Sequence, residues 1–278
     1  TMSQKARRWF LLWGILIAVF VVRGLLPWLI IWFTNPSLGF IGSLTATFSS
    51  DPAVIEAIED SAPLLLAGGG TFLILLFFHW LFMEPKVYGL HIEKFFHKHA
   101  IWFFAVASVI LSTIVWFTLQ QNPFMAFAAV LGSTAFFITH GFKENAEKIE
   151  HEMLHKKEGL SDISKIMYLE VIDATFSVDA VLGAFAFTLS IPLILLGNGL
   201  GALVVRKLTT SNIERIKKYK YLKNGAMYSV LFLGGIMLAE SFGAHIPVWV
   251  SPMITAGVLA YFFYRSVKEI DTEPVKVV

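Results

Sequence analysis

The sequence predicts an all-α fold, a polytopic bundle of about eight membrane-spanning helices. Three observations predict it. Of the 278 residues, 56% are hydrophobic and only 15% charged, with a mean hydropathy of +0.68. That is the composition of a membrane protein rather than a soluble one. Eight apolar segments can be read along the chain, at 9–33, 63–83, 100–119, 123–140, 166–189, 191–205, 225–242 and 248–264. Most approach the ~20 residues a helix needs to cross a hydrocarbon core. Finally, the connections between them alternate sharply in charge.

The first segment follows Lys5, Arg7 and Arg8. It is too long for a signal-peptide core and lacks a small-residue cleavage site, so it reads as a spanning helix. The chain opens at Thr1 rather than Met, and a longer parent with further helices is expected. Arg23 lies inside this segment, followed by Pro27. It either neutralises a carboxylate elsewhere in the bundle or snorkels to a polar edge. Connection 34–62 holds Asp51, Glu56, Glu59 and Asp60 and no basic residue. Segment 63–83 contains Gly68–Gly70, read as a packing or flexing point. Segments 100–119 and 123–140 are joined by the uncharged link Gln120–Asn122.

Region 141–165 is charged and helical in pattern, with Ile149, Met153 and Leu154 near one face. It reads as a cytoplasmic or interfacial helix, or as a continuation of the fourth span. Segment 191–205 is short and calls for tilt or local thinning of the bilayer. Glu240 falls near the outer end of the seventh segment, where an interfacial position is expected.

The basic residues sort to one side. They are Lys5, Arg7 and Arg8; Lys86, Lys94 and Lys98; Lys143, Lys148, Lys156, Lys157 and Lys165; Arg206, Lys207, Arg215, Lys217, Lys218, Lys220 and Lys223; and Arg265, Lys268 and Lys276. Of the 22 Lys and Arg, only Arg23 is left over. By the positive-inside rule, both termini and these loops are cytoplasmic and the protein sits in the plasma membrane. An even number of crossings agrees with that. No soluble domain stands out, so residues 1–278 read as a single integral membrane domain. Its first partner is the lipid bilayer. A net charge of +2 gives no reason to expect nucleic acid, and the sequence leaves open a homo-oligomer.

Chemistry concentrates in 168–188, YLEVIDATFSVDAVLGAFAFT. The stretch is apolar enough to cross a membrane, yet carries Glu170, Asp173 and Asp179. An acid at the bilayer centre costs a few kcal/mol on insertion scales, so such residues face a bundle interior or a wet cavity and mark a pathway. On an ideal helix Glu170 and Asp173 are about 60° apart, whereas Asp179 lies about 120° from Asp173 and opposite Glu170. The three acids form one stripe only if the helix is broken or wound differently. Thr175, Ser177 and the neighbouring Ala and Gly residues would let other helices approach closely. Asn198, within Gly197–Gly201, offers a carbonyl oxygen to a cation or one interhelical hydrogen bond.

His151, Glu152 and His155 match the H-E-x-x-H pattern of zinc proteases, in which two His one turn apart bind zinc. The pattern is short, no third ligand is evident, and it sits in a strongly charged segment beside Lys156 and Lys157. Enzyme activity is therefore not expected. Seven of the eight His (79, 91, 97, 99, 140, 151 and 155) fall near the side rich in lysine. They read as a solvated face or a weak metal-gathering surface.

Three stretches carry a resemblance. They are the core Glu170-x-x-Asp173-Ala174-x-Phe176-Ser177-x-Asp179, then 197–209 (GNGLGALVVRKLT), and 219–228 (YKYLKNGAMY). Together they resemble the TerC-like integral membrane proteins, in particular the branch catalogued as domain-of-unknown-function family 475. Residues 9–28 look like the helix that follows that family's first acidic motif. That motif, a glutamate with a serine-rich stretch and Asp-Asn, does not occur in this sequence. Its place would lie just upstream of Thr1. The resemblance implies two related halves, each with an acidic helix, and export of a divalent metal, chiefly manganese, with a link to tellurium-compound resistance.

On this reading Glu170, Asp173, Asp179 and Asn198 line an ion pathway, with Arg23, Thr175 and Ser177 auxiliary. Asp179, the deepest acid, is the primary ligand or the proton-coupling group, and Glu170 forms the cytoplasmic mouth. Carboxylate and carbonyl oxygens suit hard ions such as Mn²⁺, Mg²⁺ and Ca²⁺. The absence of cysteine removes thiolate ligands and disfavours soft metals. Protons are a natural counter-ion, since a carboxylate in an apolar site can exchange metal for H⁺. No tightly bound cofactor is expected, and the divalent cation is the substrate. The alternative is a non-transporting scaffold for a metal or tellurite stress-response complex, its acids paired permanently with Arg23 and other polar groups.

Overall fold

The structure, a computed structural model, describes residues 28, 32, 39–46, 60–155, 181, 183–184, 187–188, 190, 192–201, 204 and 218–272. Among them the fold is all-α, with no strand. The helices are α1 (Gly39–Ala46), α2 (Ala62–Met83), α3 (His91–Lys98), a 3₁₀ turn (Ala100–Trp102), α4 (Phe103–Gln121), α5 (Pro123–His155), α6 (Pro192–Gly201), α7 (Leu222–Ser241) and α8 (Val250–Thr272). Four stretches are long and apolar enough to cross a membrane: Ala62–Met83, Ala100–Gln121, Pro123–Gly141 and Leu222–Ser241. They fall on the predicted segments 63–83, 100–119, 123–140 and 225–242. Segments 9–33 and 166–189 lie almost wholly outside the described residues. Segment 191–205 contains the ten-residue α6, and 248–264 is the first part of a longer helix, α8.

The chain divides into two compact units, Thr1–Ala62 with Thr134–Ala202, and Pro63–Ser133 with Leu203–Val278. In the first, Trp28, Trp32 and Phe40 form an aromatic cluster, with Trp28 and Phe40 edge to face at 4.5 Å. The Trp28 indole N–H donates to the Phe40 carbonyl (3.3 Å) at the start of α1.

The second unit is built around α2. Phe72, Leu75 and Trp80 on this helix are wholly buried. Of its apolar window 61% is buried within the protein, against 17% for Ala100–Gln121. Thus α2 is the centre of the unit, and most of α4 lies at its surface. Buried hydroxyls on the spans are satisfied locally: Thr71 donates to the Ala67 carbonyl (2.7 Å), Thr118 to Ile114 (2.8 Å) and Ser229 to Gly225 (3.0 Å). Within hydrocarbon every polar group must find such a partner.

Short connections set the order of the spans. Asn122 caps α5: its side-chain oxygen accepts from the Phe124 N–H (2.9 Å), and Pro123 takes the first helical position, where no N–H is needed. α7 ends where Gly243 adopts φ +86° and its N–H returns to the Glu240 carbonyl (2.9 Å), a left-handed cap that glycine adopts without Cβ strain. α7 and α8 then pack together. Tyr228 stacks on Phe262 (5.4 Å), and the Tyr221 N–H donates to Ser266 Oγ (3.0 Å). α5 runs unbroken through the charged stretch to His155, which is the continuation of the fourth span.

Candidate functional site

The most unusual group in the second unit is Glu93, whose side chain is 0% exposed. It is the third residue of α3, a helix whose preceding residue, Leu90, provides no side-chain cap. Glu93 instead reaches back to the preceding loop: its Oε2 accepts from the Gly89 N–H (2.7 Å), one residue before the cap position. A carboxylate in the first turn also meets the positive end of the helix dipole. Gly89 matters because a Cβ there would lie 2.9 Å from the Phe262 ring and 3.0 Å from the Asn224 amide.

The same Oε2 accepts a second bond, 2.7 Å, from the side-chain amide of Asn224 in the first turn of α7. Asn224 also donates to the Val87 carbonyl (3.0 Å) and is itself 2% exposed. One carboxylate oxygen thus ties the 84–90 loop, α3 and α7 together. Taking a carboxylate out of water costs several kcal/mol, so it is retained only with well-placed donors. Two short charge-assisted bonds are such donors. The second oxygen, Oε1, is buried with no hydrogen bond of its own, and the buried Tyr228 hydroxyl is close enough to feel its charge. Trp80, Phe77 and Phe262 wall the cluster through contacts with Tyr228 at 5.3–5.8 Å.

Lys86 closes the edge. Its ammonium donates to the Trp80 and Leu81 carbonyls at the end of α2 and lies 4.0 Å from the centre of the Trp80 ring. A cation is favoured at a helix C-terminus and over an indole face. Burial nevertheless lowers its pKa to about 8, with Lys223 adding to the effect and Glu93 and Glu84 opposing it. The exposed Lys223 pairs with Glu84 at 2.6 Å, an arrangement of small energetic weight.

The Lys86 shift has a measurable sign. In the unfolded chain the group titrates near 10.5 and in the folded protein near 8. Between those values the unfolded chain holds the extra proton, so this group's contribution to stability rises with pH there. Below about pH 8 both states are protonated and the contribution is flat. Unfolding midpoints in detergent should show the rise in the native protein, and Lys86→Met should remove it.

The residues singled out from sequence are placed as follows. Arg23, Glu170, Asp173, Thr175, Ser177 and Asp179 lie outside the described residues. Asn198 is half-buried on α6. His151, Glu152 and His155 occupy the last two turns of α5. Among the described residues no group of three or more His, Asp or Glu is placed to hold a metal. Sequence reasoning missed Glu93, Lys86 and Trp80. Two signals were present: Asn224 and Tyr228 lie within 219–228, and Glu93 is the lone acid in HIEKFFHK.

No curated protein and no solved structure matches the chain. A family model does, the one described as Protein of unknown function (DUF475), over residues 1–272. With nearly the whole sequence inside that match, the chain belongs to the DUF475 family.

Proposed function

We propose that this protein is an integral membrane carrier that exports a divalent cation, Mn²⁺ above others, in exchange for protons. The observation that carries the reading is the presence of Glu170, Asp173 and Asp179 within the apolar run 168–188. Ionisable groups in a membrane span are costly and mark ion or proton routes. Its likeness to the TerC-like proteins supports manganese, and oxygen donors without thiolates suit a hard cation. Carriers of this kind place substrate near mid-depth, where Asp179 falls by its position in the run. Both termini and the lysine-bearing loops face the cytoplasm of the plasma membrane on the charge rule.

The test is cellular metal content by elemental analysis under manganese load. Cells expressing the protein should hold less manganese than controls. Cells with Asp179→Asn at matched membrane abundance should not, since the variant keeps the shape and removes the charge. If neither protein alters any divalent metal, the carrier reading is overturned and the scaffold reading replaces it.

A further inference from the structure

We propose that α3 is an interfacial element that binds anionic phospholipid through Lys94 and Lys98. The inference is independent of which ion, if any, the protein carries. It starts from length. α3 has eight residues, about 12 Å of helix, far short of a span. It is tethered on both sides: α2 ends at Met83 and the next candidate span starts at Ala100. With crossing helices at both flanks, α3 is held at the membrane surface.

Its two faces differ in kind. The inward face carries Glu93, wholly buried, with Phe96 against Phe82 (5.0 Å) and His97 beside Tyr88 (5.9 Å). On the outward side are His91, Lys94, Phe95 and Lys98, spaced i, i+3, i+4 and i+7, all exposed. Phe95 is 61% exposed, and Ile92 beside it 54%. The apolar exposure continues into Ile101 (86%) and Trp102 (59%). In water this arrangement would leave aromatic rings unburied. At a bilayer surface it is complementary: rings enter the acyl boundary, while lysine stems run along apolar surface and raise their ammonium groups to the phosphates.

Charge decides the lipid class. The only acid on α3 is Glu93, and it is turned inward and bonded to Asn224. The formal charges on the outward face are therefore all positive. Lys94 and Lys98 are one turn apart, so their ammonium groups can converge on one headgroup. A basic residue near a surface is worth about a fivefold preference for anionic lipid, and the two together about 25-fold.

Two measurements on the full chain test the proposal. The protein has no cysteine, so Phe95→Cys creates a unique site for a nitroxide. Reconstituted in phosphatidylglycerol-containing bilayers, the label should be reached by oxygen in preference to a polar nickel chelate. A label reached chiefly by the chelate places position 95 in water and overturns the proposal. Retained lipid is then counted by native mass spectrometry from mixed phosphatidylglycerol and phosphatidylcholine. The native protein should favour phosphatidylglycerol, and Lys94→Gln with Lys98→Gln should cut that preference by about 25-fold. Unchanged preference in the double variant overturns the assignment. So does displacement of the lipid by inorganic phosphate alone, since the site would then read free anion rather than a lipid surface.

Discussion

Replacing Asn224 with leucine is expected to lower stability by about 3 kcal/mol, the upper end of the cost of leaving a buried group short of a hydrogen bond, which is greater when that group is charged. The variant keeps the number and branching of side-chain heavy atoms and removes both donor bonds, to Glu93 Oε2 and to the Val87 carbonyl. Of the two donors to Glu93 Oε2, only the Gly89 N–H then remains. An unpaired buried group forfeits its full desolvation cost, which is larger than the net worth of the bond that was lost. Glu93→Gln should be milder, about 1–2 kcal/mol, because an amide oxygen still accepts from Gly89 and Asn224. The discriminating variant is the double, Glu93→Leu with Asn224→Leu. With the charge gone, it should be less damaging than Asn224→Leu alone. Unfolding in mixed micelles, read by tryptophan fluorescence, gives all three values. A double variant worse than the single would mean that the carboxylate is not the group Asn224 serves.

This cluster also explains how charged loops hold a defined place beside apolar spans. Glu93 fixes α3 and the loop before it, Asn224 fixes the start of α7, and Lys86 fixes the end of α2. The two bonds of Asn224 join residues 137 and 131 positions apart in sequence. The lysines of 84–99 and of 218–223 are therefore presented from a braced framework.

That same distance explains what could be read from sequence and what could not. The spans were legible because apolar length is a local property. Ala62–Met83 and Pro123–Gly141 begin and end within a residue or so of the runs 63–83 and 123–140. The link Gln120–Asn122 was legible for the same reason, since it parts two apolar runs, and the structure makes Asn122 the cap of α5. Region 141–165 had two readings open, and the helix continues to His155 because no Gly or Pro after Gly141 interrupts it before then. α8 outruns the apolar segment because Arg265, Lys268 and Glu269 are good helix formers once the chain leaves hydrocarbon. Glu93 was not legible. In a stretch with His91, Lys94, His97 and Lys98, a glutamate looks solvated. Only the approach of Asn224, 131 residues away, shows otherwise. Of the acidic run 168–188, the described residues include only a few apolar and small positions, so its carboxylates rest on the sequence argument alone.

Gly132→Ala is expected to destabilise the second unit by about 3 kcal/mol, the upper part of the usual range for overpacking. Gly68–Gly70 was read as a packing or flexing point, and the structure makes it a packing one. A Cβ on Gly132 of α5 would run into the Gly68 carbonyl oxygen of α2, with the carbonyl carbon at 2.8 Å and Cα at 3.0 Å. These are backbone atoms of a buried helix, which no rotamer change can move aside. The helices must separate, and every contact between them weakens with distance. Close approach of small residues is the main source of helix association inside a bilayer, where lipid tails are as apolar as leucine. Gly70→Ala should be intermediate, since its nearest neighbours are the Gly234 carbonyl oxygen and the flexible Leu238 side chain, both at 3.0 Å. Gly235→Ala supplies the opposite sign. It adds the same methyl on α7 with nothing within 4 Å, so the gain in helix propensity of about 0.5–1 kcal/mol is unopposed. Unfolding free energies for the three variants should therefore rank Gly132→Ala below Gly70→Ala below native below Gly235→Ala. Equal tolerance at 132 and 235 would show that α2 and α5 do not meet backbone to backbone.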